Sequence, residues 1–111
     1  MGRVDPHEVV VGQLPQSMRA GAKVIEDRIK AALPDTAPID QGFCITIGLA
    51  VWLKRLESMG RLDDMEARHI EFVYEAGRLS ATQMVGRQHL LDTVEEVMKA
   101  IDLNTLGGDA D

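Results

Sequence analysis

GFCITIGLAVWL, Gly42 to Leu53, is the most apolar stretch of this chain. It can be read as a membrane span, a buried strand or a core helix. The uncharged run covers thirteen residues, Gln41 to Leu53, between Asp40 and Lys54-Arg55. A spanning helix needs about 20 apolar residues, so a membrane span is rejected. FCITI is β-branched and aromatic, which favours a strand. LAVWLKRLESM, however, continues without a turn signal and is rich in helix formers. Phe43, Ile47, Ala50-Val51 and Lys54 recur at intervals of three and four. Asp40 suits an N-cap, and Gly60 suits the position just past a C-terminus. The spacing predicts a helix over 40–59, buried on most sides and forming the core. Gly48 lies inside it at a cost of about 0.5–1 kcal/mol relative to Ala. A glycine kept there predicts close approach by a neighbouring helix.

Working outward, Met18, Ala22, Ile25, Ile29 and Ala32-Leu33 form one apolar stripe. Arg19, Lys23, Glu26, Asp27 and Lys30 cover the opposite side. Pro15 fits a first turn and Pro34 a stop, which predicts a helix over 16–33. PDTAP is a stiff linker, since each proline disfavours helix in the residue before it. Residues 1–14 read as a flexible arm in which EVVVGQL is a short strand or a tail. The arm packs on the bundle or awaits a partner.

After Gly60, Asp63 and Glu66 have the spacing of a capping box. A stripe then runs through Ile70, Val73 and Gly77, continuing in phase to Ser80, Met84, Leu91, Val94, Met98 and Ile101. As one helix, 63–102 would extend about 60 Å at 1.5 Å per residue. The preferred reading breaks it. Gly77 can end a helix, Ser80 to Gln83 form an S-x-x-Q capping box, and Leu79 with Met84 fits a hydrophobic staple. Helices are therefore expected over 63–78 and 80–102, followed by an acidic tail over 103–111. The expected fold is all-α: one domain, a small bundle of three to four helices.

The chain has 111 residues and a net charge of −6. Its basic residues are scattered, with only Lys54-Arg55 adjacent. Nucleic-acid binding gathers Lys and Arg on one face to displace counterions, so no nucleic-acid partner is expected. A membrane partner is not expected either. MGRVDPHEVVVGQLPQ lacks the apolar centre of a secretory signal. Pro6 stands where myristoylation of Gly2 would need Ser or Thr. A cytoplasmic location is expected. Cys44 is the single cysteine, which rules out an intrachain disulfide. Inside the apolar run its thiol should be inert and its pKa raised.

Glu66 and His69 make an E-x-x-H pair, which on a helix places a carboxylate and an imidazole on one face. Di-iron bundles need two such motifs and two further glutamates, and only one motif is present. A solvated helix face explains the pair more simply, so no metal and no cofactor is expected. His89 with Asp92 could act as a base, but spacing supplies no nucleophile. RLSATQMVGRQHLLDTVEEVMK has the length of a helix-turn-helix, yet Asp92, Glu95 and Glu96 on its second helix would repel phosphate. Glu95 and Lys99 read as an i,i+4 surface pair. Met84 and Met98 lie on the apolar stripe, and Met-bearing helix faces suit adaptable protein binding.

KAALPDT, Lys30 to Thr36, followed by HIEFVYEA, His69 to Ala76, resembles the small helical antiactivators that sequester quorum-sensing regulators of plasmid transfer. The apolar helix between the two stretches is extra relative to that family. The resemblance implies inhibitor-like protein binding and assigns no residue a role. The functional expectation is a non-enzymatic protein-binding module: a regulator, adaptor or inhibitor working through helix faces as a homodimer. Its expected partner contacts are Phe72, Leu79, Met84, Leu91 and Met98. The alternatives are a structural subunit of a secretion or phage assembly, or a helical metal-binding protein or enzyme using Glu66 and His69.

Overall fold

The computed structural model describes residues 6–62 and 65–102. Five helices form: α1 Pro6–Gly12, α2 Gln16–Ala32, α3 Pro38–Ser58, α4 Ala67–Gln83 and α5 Gln88–Ala100. The all-helical bundle is the expected class, and among the described residues no helix is long and apolar enough to cross a membrane.

The apolar stretch is α3, the hub of the molecule. Ile45, Leu49, Trp52, Leu53 and Leu56 are fully enclosed, and all four other helices pack on it. α4 touches α1, and α2 touches α5. A bridge from His7 Nε2 to Glu26 Oε2, at 3.3 Å, joins α1 to α2. The helices therefore surround α3 in the order α4, α1, α2, α5. The ring is not closed: α4 and α5 follow each other in the chain but pack on α3 rather than along each other.

Two glycines set how closely the ring approaches. A Cβ on Gly48 would lie 2.8 Å from Ile29 Cδ1 and 3.3 Å from Met98 Sδ. This is the close approach expected there, made by α2 and α5 together. A Cβ on Gly77 would lie 2.6 Å from the Ala50 Cβ, so α4 meets α3 with nothing larger than a methyl group between them.

Four sequence expectations need correction. The arm over 1–14 is not a flexible tail or strand where it is described: residues 6–12 are α1, held by burial of His7, Val10 and Leu14. Their spacing, with half-buried Val11, is one helical stripe, and packing on the bundle outweighs the weak helix propensity of three valines. The break after Gly77 lies further on. Gly77 and Ser80 are buried inside α4, and the turn falls at residues 84–86, where Gly86 takes φ +88°. Gly60, at φ +69°, is the matching stop after α3, as expected. Asp40 is in the first turn of α3 rather than at its cap, because Pro38 starts the helix one turn earlier. There Asp40 pairs with Arg87 at the start of α5. α4 begins at Ala67 with Glu66 as its N-cap residue. The Asp63 cap and the tail over 103–111 lie outside the described residues.

Glu26 shows how the α1–α2 joint is balanced. Burial alone would raise its carboxyl pKa. A hydrogen bond from Lys30 and the charges of His7, Lys30 and Lys23 outweigh that and hold it below the ordinary value.

Candidate protein-binding surface

An incomplete ring leaves part of its hub uncovered. Along α3, residues 47, 51, 54 and 58 fall on the side between α4 and α5, at three and four residue spacing. Val51 is 43% exposed and Ile47 half-buried. They form a low apolar ridge with a groove on either side.

The larger groove runs between α3 and α5, with a volume of about 760 Å³. Ile47, Val51, Leu91, Val94, Met98 and Ile101 supply its apolar lining, and Arg55, Glu95, Lys99 and Asp102 stand at its rim. Lys99 Nζ lies 3.6 Å from Glu95 Oε2, the i,i+4 pair expected. Two cations and two anions leave the rim neutral in a chain whose net charge is −6. The smaller groove, between α3 and α4, shares Ile47 and Val51 and adds Ala50, Lys54, Tyr74 and Gly77. Here the Tyr74 hydroxyl donates to Glu57, and Lys54 Nζ sits 5.7 Å from the centre of the Tyr74 ring. Burial, the hydrogen bond to Glu57 and the Glu57 charge push the phenol up to about 12.

The five residues expected to meet a partner divide. Phe72 is 39% and Leu79 50% exposed. Both stand on α4, seven residues apart, and at 100° per residue they lie about 150° around the helix from Tyr74. They form a second apolar stripe, facing away from the grooves. Leu91 is half-buried in the wall of the larger groove. Met84 is a correction: it is 0% exposed and a core side chain. Met98 is 5% exposed and belongs to the core, yet it also lines the larger groove beside Val94. The phase that placed them on the apolar stripe is the reason: the stripe faces inward.

Of the polar pairs, Glu66 and His69 line neither groove, and His89 lines a separate shallow cavity with Asp35, Asp40 and Arg87. Glu66 Oε1 is 2.7 Å from Arg68 Nε, on the exposed start of α4. The His69 backbone N–H donates to the Glu66 carbonyl at 2.9 Å. Among the described residues, no group of three or more His, Cys, Asp and Glu side chains is placed to hold a metal. Asp92 accepts from Gln88 Nε2 at 2.9 Å, and His89 is exposed beside it. Cys44 is buried, and burial together with the nearby Asp40 charge pushes its thiol up to about 11. A thiol held so far above neutrality is protonated and a poor nucleophile. α4, the turn and α5 do run helix–turn–helix. Both helices pack on α3.

Sequence reasoning missed Ile47 and Val51 as surface residues. Nothing local marks them, since the uncharged run gives α3 no polar side before Lys54. No family model matches the chain, and neither a curated protein nor a solved structure matches it.

Proposed function

We propose that this chain is a non-enzymatic protein-binding module, a small regulator, adaptor or inhibitor that works through helix faces as a homodimer. The observation that supports the reading is the presence of two apolar surfaces on different sides of the chain. One is the ridge and grooves between α4 and α5. The other is the Phe72–Leu79 stripe. A dimeric regulator needs one surface for itself and one for the protein it controls. Helix-in-groove recognition uses apolar anchors at i, i+4 and i+7; Phe72, Ala76 and Leu79 have that spacing on α4, and Ile47 and Val51 have its first step on α3.

The Phe72–Leu79 stripe is the surface for the controlled protein. The test is affinity capture by the tagged chain from its native cell extract, read by mass spectrometry and repeated with the double variant Phe72→Asp, Leu79→Asp. One stoichiometric partner that the double variant fails to recover is the expected result. Recovery of no protein other than the chain itself, or equal recovery by the variant, overturns the reading.

A further inference from the structure

We infer that the open side of α3 is the dimer interface, and that its occupant is the same side of a second copy of this chain. The inference rests on the binding-module reading and gives the self-associating surface a place in the fold.

The first argument is shape. Ile47 and Val51 form a ridge, and the groove between α3 and α5 runs directly beside it. Four-residue rows on one helix pack into the grooves of another, the commonest way helices meet. A two-fold axis passing beside Val51 lets each ridge enter the other copy's groove. α3 and α5 of both copies then make a four-helix layer, with the two α3 helices adjacent and antiparallel. Each α3 gains the neighbour missing from its own ring.

The second argument is charge. A net charge of −6 on each copy opposes association in most orientations. On this side the charges balance. The rim carries Arg55 and Lys99 against Glu95 and Asp102, and Lys54 adds a further cation at the α4 edge. Two such rims meet without net repulsion between anions, and each has both signs to offer the other.

The third argument is extent, which sets the strength. A standard interface draws on about 20–30 residues a side. The two grooves together present roughly half of that. The pairing therefore belongs to the small, reversible class.

Sedimentation velocity across a concentration series tests this on the full chain, comparing Val51→Asp with Val85→Asp. Val85 is exposed on the turn between α4 and α5 and serves as the control. The expected result is a monomer–dimer equilibrium that Val51→Asp weakens at least tenfold and Val85→Asp leaves unchanged. A second readout does not depend on the charged variant folding. With a cysteine at position 51, maleimide labelling should slow as protein concentration rises through the dimer midpoint, and a cysteine at 85 should label at one rate throughout. A monomer at all concentrations overturns the inference, as does a dimer indifferent to Val51→Asp or a position-51 thiol whose rate never changes. Protection of position 51 only when another protein is added makes the groove a heterologous site, which also overturns it. The Phe72, Leu79 double variant should still dimerise, so loss of partner capture and loss of self-association are read separately.

Discussion

The seam between α3 and α4 and the seam between α3 and α5 use glycine in opposite ways. Against α4, the atom nearest a new Cβ on Gly77 is the Ala50 Cβ, which is fixed to the backbone of α3. Neither side can give, so that seam is closed tightly. Against α2 and α5, the atom nearest a new Cβ on Gly48 is the Cδ1 end of Ile29, which can rotate aside, with Ile25 Cγ2 and Met98 Sδ next at 3.3 Å. A glycine facing backbone-anchored methyls sets the distance between two helices. One facing the tips of long side chains only makes room for them. The first seam is rigid, and the second is the adaptable one beside which the molecule leaves a groove.

The contrast can be broken most strongly at Gly77. Gly77→Ala should destabilise the fold by about 1–3 kcal/mol through overpacking, measured by urea unfolding. Ala50→Gly in the same chain should return a large part of that loss, since it removes the methyl group in the way. Two additive effects would mean that the seam is not closed by this pair. Gly48→Ala should stay within about 1 kcal/mol of the parent. The shift demanded of Ile29 is offset by the gain of about 0.5–1 kcal/mol from replacing a mid-helix glycine. A loss equal to that of Gly77→Ala would erase the distinction between the seams.

The smallest effect sharpens the comparison from the side of Tyr74, the only tyrosine in the chain. Its phenol titrates at about 12 in the folded protein, against an ordinary 10.0. Between those values the unfolded chain gives up the proton while the folded one keeps it. Stability is therefore fully present below pH 10 and is lost as pH rises towards 12. An ultraviolet titration of the native protein should place the phenol high, and Glu57→Gln should bring it down. An unshifted phenol would mean that Tyr74 does not lean on Glu57 at the edge of the groove.

Much of the fold was legible because its signals are local. The Met18–Leu33 stripe between two prolines marks α2. The uncharged run ending in Lys54-Arg55 and Gly60 marks α3 and its stop. What was not legible depends on neighbours distant in the chain. Gly77 looks like a terminator until Ala50 is set against it, and Gly86, three residues after the false capping box, is the residue that turns. Three successive valines hide the stripe of His7, Val10, Val11 and Leu14, because one of its members is a histidine. Of the candidate surface, Phe72, Leu79 and Leu91 could be read from helix phase. Ile47 and Val51 could not, because which side of a mostly buried helix stays open is decided by the order of the helices around it.

The hub position of α3 also bears on how the chain acquires its structure. α1 and α2 come to it from one side of the sequence and α4 and α5 from the other, and all four bury their apolar faces against it. Neither end of the chain holds a nucleus of its own. The expected folding nucleus is therefore α3 with the helices that reach it first. Most of these partners are close in sequence, a topology that folds fast for its size. Such a chain has no half that can melt while the other persists.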